Sequence, residues 1–191
     1  MRLPPLLVAA LVAGCVSFGS READRYFVLE ATSPPGVAAH APSRHDVSVA
    51  PTTASSFYDT QSIAYSRAAG TRAYYQFNHW TERPQRAIHA QLASRLQGDG
   101  AKGTLVLHTH LEEIYHDAAA PPGIARIAIR AELVDAQGRR VIARREFTRS
   151  SPAASYDADG AVRGFDLALG AVIDDIAAWV EERAARPGRE R

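Results

Sequence analysis

A single cysteine, Cys15, leaves this chain of 191 residues no means of closing an intramolecular disulfide. A hydrolase nucleophile elbow of the Gly-x-Ser-x-Gly kind is missing as well. The glycines of Gly98 to Gly103 (GDGAKG) stop short of a phosphate loop, because Lys102 lies outside the Gly-Lys-Ser/Thr arrangement. That segment reads as a turn. No apolar run reaches the roughly 20 residues a helix needs to cross a bilayer. Charge of one sign is not in excess, with 22 basic residues against 21 acidic ones. This balance gives no footprint for nucleic acid and no field to steer a charged substrate. There is no internal repeat, so one fold unit is expected.

What is present begins at residues 1–15, MRLPPLLVAALVAGC. Arg2 precedes an apolar run from Leu3 to Gly14, which has the length of a signal-peptide core. Val12-Ala13-Gly14-Cys15 places small residues before a cysteine, which looks like a bacterial lipobox. The chemistry there needs a thiol to alkylate with diacylglycerol and small neighbours to pass the peptidase. Lipidation also explains an unpaired cysteine in an exported chain; the alternative is an ordinary signal peptide with an incidental cysteine. Cleavage before Cys15 removes 14 residues and leaves 177, enough for one domain with a sizeable core. One acyl chain binds a membrane only marginally, whereas two or three hold it stably. Val16 and Ser17 follow the cysteine with no aspartate to signal retention at an inner membrane. The outer membrane, facing the periplasm of a Gram-negative cell, is therefore expected.

The block from Ser56 to Leu96 organises the rest. Ser62–Tyr65 and Ala73–Phe77 carry the aromatic and β-branched residues of strands, and Ala69-Gly70 supplies the turn between them. Thr81 is placed to cap a helix with Pro84 in its first turn, and Ile88, Leu92 and Leu96 form its apolar stripe. Upstream, Arg25–Leu29 and His45–Pro51 read as strands, joined by a loop rich in proline and glycine. Downstream, Thr104–His116, Ile124–Val134 and Arg140–Thr148 form a meander with an apolar and a polar face, and Asp135–Gly138 turns its second hairpin. Residues 151–159 read as loop. Gly160–Arg183 is a second helix, with Phe165, Leu169, Val172, Ile173, Ile176 and Val180 along one stripe. The expectation is a single α+β domain of order ββββαβββα, a largely antiparallel mixed sheet with two amphipathic helices packed on one face. Its parts are a signal peptide (1–14), a lipidated tether (15–24), the domain (25–183) and a flexible tail (184–191).

Tyr58-Asp59, Gln61-Ser62-Ile63-Ala64-Tyr65, Trp80 and a helix opened by Pro84 together resemble the ABC-type transport auxiliary lipoproteins, the family that includes paraquat-inducible protein C. Two positions depart from the family pattern. Tyr58 and Asp59 are adjacent where an apolar residue usually separates them, and Thr81 stands where alanine is usual. An aromatic-rich opening strand and a final helix bearing a tryptophan, here Trp179, extend the likeness over residues 26–180. The resemblance implies a non-enzymatic accessory lipoprotein without a cofactor. It implies as partner a membrane protein with mammalian-cell-entry (MCE) domains, working with an ABC transporter to move phospholipid between inner and outer membranes. A homo-oligomer matching that partner's symmetry fits the same picture.

The remaining constellations are weaker. His108, His110 and Glu112 share a strand face, yet alternating polar residues are what a solvated strand face shows, and spacing suggests no fourth ligand. No metal is expected. Asp174-Asp175 and Glu181-Glu182 read as a solvated helix face rather than acid/base pairs. Tyr65, Tyr74, Tyr75, Phe77 and Trp80 form the densest aromatic cluster. Most of its members should be core or cross-strand pairs, and the exposed ones are the candidate partner-binding residues. The rival function is an autonomous lipid- or small-ligand-binding lipoprotein, which would need an apolar cavity between sheet and helices.

Overall fold

The structure, a computed structural model, describes residues 23–32, 47–96, 104–137 and 140–185. The expected signal peptide, Cys15, the 98–103 turn and most of the tail lie outside the described residues. The chain runs β1 (Arg25–Phe27), β2 (Val47–Val49), β3 (Thr53–Ala54), a 3₁₀ turn (Ser56–Tyr58), β4 (Ser62–Ser66), β5 (Ala73–Trp80), α1 (Pro84–Leu96), β6 (Leu105–Asp117), β7 (Ile124–Asp135), β8 (Val141–Pro152) and α2 (Ala158–Ala184). The expected α+β order is present, with one added two-residue strand, β3.

All eight strands join one mixed sheet of order β1-β5-β4-β6-β7-β8, with β2 and β3 also paired to β6. The long strand β6 is the hub. Its start takes β2, its middle takes β3 and its end takes β4, all in parallel. Its other edge pairs antiparallel with β7 along its whole length, and β7 pairs likewise with β8. Asp135 N–H donates to the Arg140 carbonyl at 3.0 Å and closes the β7–β8 hairpin.

Both helices use the stripes that the spacing predicts. Ile88, Leu92 and Leu96 of α1 are buried, as are Phe165, Leu169, Val172, Ile173, Ile176 and Val180 of α2. Trp80 meets Phe165 edge-on at 5.7 Å and Phe147 meets Trp179 at 5.6 Å, so each tryptophan ties the sheet to α2. The Asp157 side chain caps α2 by accepting from the Gly160 N–H at 2.8 Å.

Three local readings are corrected. Thr81 does not cap α1, which starts three residues later at Pro84. Its N–H instead donates to the Phe27 carbonyl at 2.8 Å, and its carbonyl accepts from Gln61 Nε2. The first strand ends at Phe27 rather than Leu29, because the chain then turns between the helices. The last strand runs on to Pro152, past the expected loop boundary, since Ile124 at the start of β7 still has Pro152 to pair with.

Between Leu111 and Glu113 the β6–β7 register shifts by one residue. Before this bulge Leu107, Thr109 and Leu111 face the helices; after it Ile114 and His116 are buried. A one-residue shift exchanges the two faces of a strand.

Candidate functional site

The aromatic residues collect where the β4–β5 hairpin turns, with Gly70 at φ 73° in the turn. Successive residues of a strand point to opposite faces, so Tyr74 and Tyr75 separate. Each becomes part of its own cluster.

On the helix side, Tyr75 lies 4.8 Å from Tyr65 and stacks on His116. His116 is fully buried. Its Nε2 is 3.1 Å from the Pro122 carbonyl, which only accepts, so Nε2 carries the proton. Nδ1 is then the acceptor, and the Tyr75 hydroxyl donates to it at 2.8 Å. Burial holds the imidazole pKa below its ordinary value. Burial, reinforced by the negative charge of Asp157, pushes the Tyr75 phenol up to about 12. Tyr156 stands edge-on to His116 at 6.2 Å and donates to the Ala118 carbonyl. Gly123, at φ 90°, makes this packing possible: a Cβ there would sit 2.0 Å from His116 Nε2. Arg67 lies 5.2 Å over the Tyr65 ring at the outer margin of the cluster.

On the other side, Tyr74 is 40 % exposed and stacks on Phe57 at 4.5 Å. Its hydroxyl donates to the Phe57 carbonyl at 2.6 Å. Phe57 in turn meets Tyr58 edge-on. Arg72 is clamped beside them, its guanidinium 3.6 Å over the Tyr115 ring, donating to Tyr58 Oη and Glu113 Oε1. Of the five candidate residues, then, Tyr74 is open, while Tyr65, Tyr75 and Phe77 are half-buried. Trp80 is 1 % exposed and belongs to the core, so no partner can reach it.

His108 and His110 line a shallow open concavity of about 450 Å³ together with Thr53, Arg130 and Glu132, while Glu112 sits at the bulge beyond it. His110 is held by the Thr53 and Ser55 hydroxyls, 2.7 and 3.3 Å from its two ring nitrogens. Burial, and then the Arg130 charge, lower its pKa. Glu112 pairs with Arg130. Among the described residues no three His, Cys, Asp or Glu side chains converge to hold a metal. Asp175 is paired with Arg149 at 2.7 Å and Asp174 with Arg95 at 3.9 Å, which places both in inter-element ion pairs. No helix among the described residues is long and apolar enough to cross a membrane.

The model of the ABC-type transport auxiliary lipoprotein component matches residues 27–177, nearly the whole folded unit. The chain belongs to that family. No curated protein sequence matches it. Among solved structures, protein XCC0632 of Xanthomonas campestris superposes with a TM-score of 0.71 at 19 % identity, over 84 % of this chain and 97 % of the other. A second, uncharacterised protein gives a TM-score of 0.58 at 14 % identity, over 84 % and 98 %. At such identities the likeness shows the fold. This auxiliary lipoprotein thus shares its fold with those chains over 84 % of its length.

Within the auxiliary lipoprotein domain, sequence reading missed His116, Arg72, Tyr115 and Tyr156 as members of the aromatic site. His116 is brought inside by the bulge at Glu112, which no residue pattern marks. Arg72 and Tyr115 meet only because β4 and β6 pair, across 43 positions of sequence.

Proposed function

We propose that this chain is a non-enzymatic accessory component of an ABC transport system that moves phospholipid between the inner and outer membranes of a Gram-negative cell. Diacylglycerol on Cys15 anchors it to the outer membrane, facing the periplasm. The domain docks on an MCE-domain membrane protein of that system. Membership of the auxiliary lipoprotein family across residues 27–177 carries the reading. The lipobox ending in Cys15 supports the anchor, and the end of the β4–β5 hairpin supports the docking surface. There Tyr74 is exposed and stacked on Phe57, and Tyr65 is half-exposed with its ring tilted against Tyr75. Rigid aromatic rings lose little entropy on binding and serve as interface anchors.

The test is a pull-down from native membranes with tagged full-length protein and a Cys15→Ala control. Recovery of an MCE-domain protein with the wild type, and its loss with the control, is the expected result. Recovery of no membrane partner by either form would sink the transport role.

A further inference from the structure

Alternation divides the first described residues of the chain into two rows. Phe27 and Leu29 point inward, Leu29 being 3 % exposed. Tyr26 and Val28 point outward, 61 % and 54 % exposed, the two most exposed large apolar side chains among the described residues. They stand about 6.6 Å apart on one row. β1 is the terminal strand of the sheet, so this row lies at its edge.

The edge is fixed to the body of the domain. β1 pairs in parallel with Asn78–Trp80 of β5, and the Tyr26 ring rests on His79 at 5.4 Å. The chain then passes between the two helices. Gln91 of α1 donates to the Leu29 carbonyl and accepts from the Ala31 N–H. Asp166 of α2 accepts from the Glu30 N–H with its carboxylate and from the Thr32 N–H with its carbonyl, both at 3.0 Å. A Cβ at Gly170 would lie 2.2 Å from the Thr32 carbonyl oxygen, so the strap sits directly on the α2 backbone. Tyr26 and Val28 are therefore apolar groups on a rigid platform, not on a loose end.

What covers them follows from the length of chain before them. Tyr26 is eleven residues beyond Cys15. Eleven residues span at most about 38 Å when fully extended, and a flexible chain of that length spans roughly half as much. The acyl group that fixes Cys15 therefore keeps this row close to one lipid surface at high effective concentration. Tyrosine suits that boundary, with an apolar ring and a polar hydroxyl, and a neighbouring valine adds apolar area without charge. Arg25, the flanking cation among the described residues, is already paired with Asp159 at 3.0 Å, so the contact there is apolar rather than a headgroup salt bridge.

We infer that Tyr26 and Val28 lie on the lipid surface of the membrane that holds the Cys15 anchor, and so set the orientation of the domain on that membrane. The inference rests on the anchored reading above. The lipid provides the affinity and the edge row provides the orientation.

Cys15 is the only cysteine and is blocked when acylated, so Val28→Cys gives a unique site for a nitroxide label. The acylated full-length protein is reconstituted in vesicles of phosphatidylethanolamine and phosphatidylglycerol. Collision of the label with oxygen and with a water-soluble nickel chelate is then measured. A label at Gln137→Cys, on the exposed β7–β8 turn, serves as the aqueous reference. The expected result is a several-fold lower nickel collision rate at 28 than at 137, with oxygen collision maintained, and recovery of nickel access when Tyr26→Ser is added. Equal nickel access at both sites, while the protein floats with the vesicles, overturns the membrane contact and leaves the anchor standing. Protection at 28 that arises only when native membrane proteins are added assigns the row to a protein partner and overturns it too. Failure of the acylated protein to float removes the anchored reading and the inference with it.

Discussion

Tyr74 and Tyr75 are adjacent in sequence and serve opposite faces, so their substitutions should separate two roles. Tyr74 is open to solvent and stacks on one partner; Tyr74→Ala should cost at most about 1–1.5 kcal/mol of stability, the scale of one aromatic pair. Its main effect should be a weaker complex in the pull-down. Tyr75 donates to a buried histidine whose other nitrogen is already committed. Tyr75→Phe strands that acceptor and should cost about 1–3 kcal/mol in urea unfolding. Tyr75→Ala removes the ring as well and should cost more. No loss for Tyr75→Phe would show that the hydrogen bond to His116 is not what holds the helix-side cluster. Asp166 gives a pH signature of its own. Burial pushes its pKa up from 3.8 to about 6, against the hydrogen bond from the Glu30 N–H, which lowers it. A folded-state pKa above the unfolded one means that its contribution is complete below pH 3.8 and is lost as pH rises through about 6. Asp166→Asn keeps an oxygen acceptor for Glu30 and removes the desolvation of a charge, so it should stabilise the domain at pH 8 and change little near pH 4. His116 and His110 run the other way, since lowered imidazole pKa values cost stability as pH falls through 6.5. The comparison of Asp166→Asn with wild type at each pH cancels them. No gain at pH 8 would show that the carboxylate is not desolvated in the folded chain.

At the level of elements, α2 and β6 do most of the positioning. The stripe of α2 was readable from spacing alone, because a helix that covers a sheet must repeat its apolar residues at intervals of three and four. Its glycines were not readable. Gly170 faces the backbone of the Leu29–Thr32 strap, which arrives from 138 residues away in sequence. Gly170→Ala should push that strap off the helix, lowering the thermal midpoint and raising amide hydrogen exchange at Glu30 and Thr32. Unchanged exchange there would mean that the Asp166 hydrogen bonds hold the strap without the close approach at Gly170. The meander was legible up to the point where β6 bulges. Leu107 and Leu111 alternate as expected, and then Glu112 is absorbed by the bulge and the period restarts with Ile114 and His116. A reading by strict alternation places His116 with His108 and His110 on the polar face. The structure instead makes it the buried support of Tyr75.

For the whole molecule, the core runs from Leu29 to Val180 and the family match from residue 27 to 177. Cys15 lies before both. Cys15→Ala should therefore leave the unfolding transition of the domain unchanged while abolishing its recovery with membranes. A shifted transition would mean that the N-terminal segment contributes to the fold. The amino-acid sequence by itself determined the class of this protein. Single residues at fixed spacing carry the lipobox, the helix stripes and the Tyr-Asp, Gln-Ser-Ile-Ala-Tyr, Trp, Pro pattern, and each of these depends only on neighbours within a few turns of chain. The tertiary structure alone decided which aromatics are available to a partner. It buried Trp80 under Phe165, paired Tyr75 with His116 and left Tyr74, Tyr26 and Val28 open. Accessibility is set by which strands lie side by side and where a bulge exchanges their faces, and those pairings join residues tens of positions apart.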